Sequence, residues 1–463
     1  MTADTTRWAW ALLACGAWLG LLVQPLRQQW RTWRTRRSTR SSAAEAPLLI
    51  AYASQSGFGA QLAENLARAL ATQGCPALAL PLARIGAQDI DAAERMLFIA
   101  STTGEGDAPD NAAAFVTQVM RGEGHGPRRL QQLHYGLLAL GDSSYAGFCG
   151  FGRALDTWLR AAGATPAFAR IEADGGNAAA LARWTQAVAQ FTGSGTDAAA
   201  APAAAVQRWT LAQRSLLNPG SPGAPIHHVV LQPLDPLPDW QAGDTARIRV
   251  PTPGGQGAVW RDYTLASLPH EGRAELLVRE TLQPDGQRGL GSGWLGHGLA
   301  IGGELALQIR RNSGFHGPAC STPLVLIGNG TGLAGLAVHL KERARAQQAG
   351  QPIAPAWLLF GERTRRHDAL CDPALQAWLA SGVLQRLDRA FSRDADAPVR
   401  YVQDLLGPHG TLLRDWLGRG AAIYVCGQRE GMAQGVDAAL RAVLGDAALE
   451  QLAAQGRYRR DVY

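Results

Sequence analysis

The texture of hydrophobic and polar positions changes twice along this chain. Leu48-Leu49-Ile50-Ala51-Tyr52 is a short continuous apolar run, as in a buried strand. Residues 61–72 follow with Leu62, Leu66 and Leu70 four apart, the spacing of one helix face. Residues 77–82, 96–100, 136–140 and 168–171 predict further strands, with helical patterns between most of them. That alternation predicts a doubly wound parallel sheet covered by helices on both faces, with ligands beyond the carboxyl ends of its strands. Residues 193–205 hold almost no large side chains and read as a linker. Residues 226–231, 246–250 and 274–278 then alternate or run β-branched between Pro and Gly, which predicts an antiparallel β-barrel. Past Pro323 the strand–helix alternation returns, with strands at 324–327, 357–360 and 423–425. The expected domains are 47–192, a linker at 193–206, then 207–320 and 321–463.

Residues 8–23 form an uncharged apolar run, short against the ~20 residues that span a bilayer. Trp8, Trp10, Trp30 and Trp33 are suited to interfacial anchoring. Arg27, Arg31, Arg34, Arg36, Arg37 and Arg40 follow the run, against Arg7 and Asp4 before it. This asymmetry predicts a single-pass N-terminal helix in the inner (cytoplasmic) membrane, with everything after residue 26 in the cytoplasm. A cleaved signal peptide is the rival reading, but its positive charge would precede the apolar run.

The net charge of +6 falls mostly in residues 1–46, where seven Arg face two acids. The body is left almost neutral, so a nucleic-acid partner has no support. The six cysteines form no Cys-x-x-Cys pair, against a disulfide framework, a zinc site or an iron–sulfur cluster. His227, His228, His297, His316 and His409 show no ligand spacing, and no metal is expected.

Candidate chemistry lies at the strand ends. Ser54-Gln55-Ser56-Gly57-Phe58-Gly59 joins a strand to a helix, so hydroxyls, backbone N–H groups and a helix N-terminus can face one phosphate. Ser101-Thr102-Thr103-Gly104-Glu105-Gly106 follows the third strand, and Leu140-Gly141-Asp142-Ser143-Ser144-Tyr145, continuing to Phe148-Cys149, follows the fourth. Glu105, Asp107 and Asp110 form an acidic rim that could face a basic partner. Gly328-Asn329-Gly330-Thr331-Gly332 opens a helix after a strand, the usual seat of a dinucleotide pyrophosphate. The run Arg457 to Tyr463 is a poor helix end; it makes sense if Tyr463 must lie flat on something planar while its charged neighbours fix its position.

Taken in order, these motifs, with Arg261-Asp262-Tyr263-Thr264 and Tyr424-Val425-Cys426-Gly427, resemble the NADPH-dependent diflavin reductases, most nearly the sulfite reductase flavoprotein component. The resemblance implies a flavodoxin-like FMN domain, a β-barrel FAD domain and an α/β NADPH-binding domain of the ferredoxin-reductase type. By it the first three loops hold FMN, with Tyr145 stacked on the isoalloxazine. Arg261, Tyr263 and Thr264, with Asp262 between them, and Gly289-Leu290-Gly291-Ser292 hold FAD. Gly330, Thr331 and Gly332 would take the nucleotide pyrophosphate, while Ser392, Arg393, Arg400, Tyr401 and Gln403 select the 2′-phosphate. Thr264, Cys426, Asp461 and Tyr463 would surround the flavin N5 and nicotinamide C4.

Three departures stand out: Phe58 where the family has Asn, Gly435 where it has Asp, and only 16 residues where it carries a helical connecting domain, between Asp244 and Arg261. The expected function is electron flow from NADPH through FAD and FMN to a one-electron acceptor such as a haemoprotein. The alternatives are an input module for a membrane haem or transmembrane electron-transfer partner, and a non-catalytic flavin-binding carrier.

Overall fold

The computed structural model describes residues 47–54, 57–103, 106–122, 129–141, 143, 147–174, 177–195, 205–255, 257–283 and 285–463. The expected membrane helix at residues 8–23 lies outside them. Among the described residues no helix is long and apolar enough to cross a membrane.

The described strands assemble into three sheets. The first comprises β1 (Leu48–Ala53), β2 (Ala77–Pro81), β3 (Arg95–Ser101), β4 (His134–Gly141), β5 (Thr165–Pro166) and β6 (Ile171–Asp174). They are parallel in the order β2-β1-β3-β4-β5, with β6 also paired to β4. This is the flavodoxin-like doubly wound order. The interior strands are apolar throughout because helices cover both faces. One of them, α1 (Phe58–Thr72), buries Ala63, Leu66 and Leu70.

The strand expected at 168–171 forms a few residues later. Phe168 turns its ring over Gly136, where a Cβ would lie 2.4 Å from its Cζ, and packs edge-on against Trp184 and Phe191. That packing takes Phe168 out of the ladder, and pairing resumes at Ile171.

The second sheet is antiparallel: β7 (Gln207–Leu216), β8 (Ile226–Pro233), β9 (Thr245–Pro251), β10 (Ala258–Thr264), β11 (Ala274–Arg279) and β12 (Glu304–Arg310), in the order β10-β9-β12-β7-β8-β11. Trp209, Leu211, Val229, Ile248, Leu276 and Leu307 fill its interior. The third sheet holds β13 (Leu324–Asn329), β14 (Ala356–Glu362), β15 (Arg386–Phe391), β16 (Ala422–Gly427) and β17 (Tyr458–Val462), parallel in the order β15-β14-β13-β16-β17. Helix α2 (Leu333–Gln348) follows the glycine loop after β13 and is buried along most of its first turns.

The charged C-terminal run forms the edge strand β17, where charge suits an exposed edge. Its arginines are tied down: Arg459 donates to the carbonyls of Ser313 and His316, and Arg457 to those of Leu417 and Ala421.

Candidate active site and nucleotide cleft

The register of the last two strands sets the centre of the site, because Cys426 of β16 lies opposite Asp461 of β17. Thr264, the last residue of β10, donates its hydroxyl hydrogen to Asp461 Oδ2 at 2.9 Å, and the Cys426 thiol donates to the same oxygen at 3.8 Å. Gly335 of α2 allows this convergence: a Cβ there would lie 2.9 Å from Cys426 Sγ and 3.0 Å from Thr264 Cγ2. Gly328 and Gly332 let the glycine loop cross the end of β16, since a Cβ on either would meet the Cys426 carbonyl oxygen at 2.2 Å.

Burial pushes the Asp461 carboxyl up to about 6, with nearby Asp262 adding to the rise and the hydrogen bonds from Thr264 and Cys426 opposing it. Burial also pushes the Cys426 thiol well up, reinforced by Asp461, so this cysteine is a neutral packing group. Tyr463 receives the final contacts of the strand: its N–H donates to Gly427, its carbonyl accepts from Arg429, and its hydroxyl pairs with Thr331 at 3.0 Å. The hydroxyl end is enclosed, which pushes the phenol well up, yet the residue as a whole is 57% exposed. A hydroxyl, a thiol, a protonatable carboxyl and an open aromatic ring thus stand together.

Around this centre lie two sets of polar groups. Gly291 fits between Arg261 and Tyr263; a Cβ there would lie 2.5 Å from the Tyr263 hydroxyl and 3.1 Å from Arg261 Cγ. Ser292 Oγ holds the loop by accepting from the Thr281 N–H and pairing with its hydroxyl. The backbone of Gly289, Leu290, Gly291 and Ser292 beside a guanidinium and a phenol fits a diphosphate and a flat ring. Asp262 turns the other way, as strand alternation dictates, toward Arg310 and Arg247. It therefore does not share the face of Arg261 and Tyr263.

Ser392, Arg393, Arg400, Tyr401 and Gln403 all line one cavity of about 450 Å³, together with Asn329, Arg279 and Glu362. One ion pair lining this cavity joins two residues that carry no assignment from the sequence. Arg279 pairs with Glu362 at 2.5 Å, and burial raises the Glu362 carboxyl against that guanidinium. The position of Glu362, ending the second strand of a nucleotide-binding sheet, was the available signal. Gln403 lies against Gly435, where a Cβ would be 2.9 Å from its amide nitrogen.

At the first sheet, Ser54 Oγ accepts from the Gly59 N–H, and the Ser54 N–H donates to Asn111. Gly57 has φ 79°, a left-handed turn that only glycine enters freely. Thr102 Oγ1 is buried without a hydrogen-bond partner among the described residues, as fits a hydroxyl awaiting a polar ligand. Ser143 bonds Asp174 through both its N–H and its hydroxyl, and Cys149 enters the next helix at φ 54°. Thr103 bridges to Asp107, and Gly141 packs against Phe148 and Cys149. Gln55, Ser56, Gly104, Asp142, Ser144 and Tyr145 lie outside the described residues.

Loops of the first sheet meet the regions of both later sheets directly. Phe58 lies under the Arg310 guanidinium, 3.9 Å from ring centroid to Cζ, and Arg429 pairs with Asp107 at 2.7 Å. A Cβ on Gly57 would come within 2.2 Å of the Arg311 carbonyl oxygen. Of the expected acidic rim, Asp107 thus meets a basic partner within this chain, while Glu105 lies outside the described residues.

Residues 50–184 match the flavodoxin family, and residues 326–438 match the oxidoreductase NAD-binding domain. The chain is 27% identical to a sulfite reductase [NADPH] flavoprotein alpha-component of Vibrio cholerae over 91% of its own length and 88% of the relative. It is 26% identical to the Bacillus subtilis protein of that name over 91% of both, and 35% identical to one of Shigella flexneri over 44% of this chain and 36% of that one. The Vibrio cholerae alignment runs over 550 positions, more than the 463 residues here, so the relative carries segments this chain lacks. A flavodoxin domain and an NAD-binding oxidoreductase domain in one chain, with similarity to these flavoproteins across nine-tenths of its length, make it an NADPH-dependent flavoprotein oxidoreductase similar to the diflavin reductases, with FMN, FAD and NADPH as its cofactors.

Proposed function

We propose that this reductase delivers single electrons to a haemoprotein, with its two flavin domains docked directly on each other. When bound, NADPH supplies a hydride and the flavins divide it into one-electron transfers. The observation that carries the reading is the pair of contacts between the first sheet's loops and the rest of the body, Phe58 on Arg310 and Asp107 on Arg429. Both join loops of the first sheet to the part of the chain that carries the Thr264–Cys426–Asp461 centre, which supports docking without a connecting domain.

In this reading Asp461 holds or releases a proton beside the nicotinamide, and Thr264 and Cys426 orient that carboxyl. Tyr463, whose ring is open, would cover FAD when it is bound and would give way to the nicotinamide. Arg393 and Arg400, with Ser392, meet the 2′-phosphate, and Tyr401, 53% exposed, offers a face for the adenine. The relatives' name, sulfite reductase, favours a haemoprotein acceptor. The apolar run at 8–23 followed by six arginines favours a membrane tether that keeps the reductase body on the cytoplasmic side.

Tyr145→Ala tests the two-flavin assignment. The variant should lose FMN while keeping FAD and NADPH-dependent ferricyanide reduction, and should fail to reduce cytochrome c. Loss of both flavins together would overturn the assignment.

A further inference from the structure

His227, Glu280 and His297 are scattered in sequence, yet the fold gathers them. Pairing of β8 with β11 puts His227 opposite Val278 and carries the chain to Glu280 just beyond the ladder. The helical turn Trp294–Gly298, which continues from the Gly289–Ser292 loop, brings His297 over the same carboxylate. The three ligand atoms lie within 4.8 Å of one another. Glu280 Oε2 is 2.8 Å from His297 Nε2 and 3.8 Å from His227 Nε2. Bonds of about 2.0–2.1 Å in a tetrahedron separate ligand atoms by roughly 3.4 Å, so small side-chain adjustments would place all three on one ion.

Two further observations point to a ligand. His227 is 6% exposed, and its Nε2 is buried without a hydrogen-bond partner among the described residues. An imidazole in that condition ordinarily has a partner. Arg288 Nε donates to Glu280 Oε1 at 2.5 Å, leaving Oε2 for the histidines, the way an outer group orients a ligating carboxylate. Gly296 lets the turn close over the imidazole, since a Cβ there would lie 3.1 Å from His227 Cδ2. His297 is exposed, which gives a cation access from solvent.

We propose that His227, Glu280 and His297 bind one divalent transition-metal cation of the Zn²⁺ type, two nitrogens and one oxygen being a set such ions favour. The ion ties the turn behind the FAD loop to the sheet, a structural clamp away from the Thr264–Cys426–Asp461 centre. The positive charge of Arg288 beside Glu280 tempers the affinity.

The experiment uses flavin-loaded full-length protein, stripped with EDTA and dialysed against a few-fold molar excess of Zn²⁺. The expected result is one Zn²⁺ retained per chain and a raised melting temperature. His297→Ala, at an exposed position where the fold tolerates truncation, should weaken zinc binding at least about tenfold and abolish the thermal shift. His270→Ala, at an exposed histidine outside the cluster, should bind like the parent. No zinc on the parent, or unchanged zinc on His297→Ala, overturns the site and leaves a Glu280–His297 hydrogen bond beside His227, without bearing on electron transfer.

Discussion

Replacing Asp461 with Asn tests whether the carboxyl beside Cys426 carries a proton in the resting fold. Burial lifts this group from 3.8 to about 6, with Asp262 adding and Thr264 and Cys426 opposing. Because its folded pKa is raised, the folded state holds a proton that the unfolded chain has released between about pH 4 and 6. Stability therefore falls as pH rises through that window and stays lowered above it. At 1.36 kcal/mol per unit, the shift amounts to about 3 kcal/mol at neutral pH. Asn keeps an acceptor for the Thr264 hydroxyl and cannot ionise. The variant should be up to about 3 kcal/mol more stable at pH 7.5, with a melting temperature several degrees higher. The gap should close toward about pH 4.5. Tryptophan-fluorescence melts of the flavin-loaded protein across this range read it out. Stopped-flow flavin reduction by NADPH should rise through about pH 6 in the parent and be slow and flat in the variant, as the ionised carboxylate offsets charge left on the nicotinamide. A variant that is less stable at neutral pH, or a gap indifferent to pH, would refute the reasoning. The two donated hydrogen bonds would then balance burial, and the carboxylate would be ionised without cost.

Arg393→Ala should raise KM for NADPH with little change for NADH, narrowing the preference by roughly 1–3 kcal/mol, the scale of a hydrogen bond to a charged group; equal losses with both nucleotides would mark a structural arginine. Phe58→Asn removes the ring beneath Arg310, a contact worth up to about 2 kcal/mol when desolvated, and should slow cytochrome c reduction while sparing ferricyanide reduction; unchanged cytochrome c turnover at full FMN content would refute the docking. Tyr463→Ala should tighten nucleotide binding, relax discrimination against NADH and slow turnover through retained NADP⁺. Parent-like kinetics in that variant would make Tyr463 an ordinary edge-strand residue.

Local patterning was enough to read the parallel sheets, because strands covered on both faces must be apolar along their whole length. β14, buried at all seven positions, and the run from Leu48 are of this kind. Phe168 misled because aromatic residues favour strands, while here its ring packs across Gly136. The glycine loop and the Cys426–Asp461–Thr264 group were legible through their motifs. Arg279 with Glu362 was not, since the two lie 83 residues apart and neither is unusual locally. The His227–Glu280–His297 cluster escaped for the same reason: spacing rules find ligands on one element, and these sit on three.

Two departures from the family explain each other only in three dimensions. With 16 residues between Asp244 and Arg261, the loop at Gly57 and Phe58 rests against the end of β12 without an intervening module. Arg310 ends β12, buried and lowered to about 10 by that burial, with Asp262 supplying a carboxylate on one side. A polar Asn at position 58 would leave the guanidinium face against a small side chain. Phe58 covers that face with a ring, and Gly57 beside it lets the Arg311 backbone close in where any side chain would collide. The residue that weakens the phosphate-loop match is thus the one that suits direct docking, and Asp262 turns from the FAD face to complete the same contact.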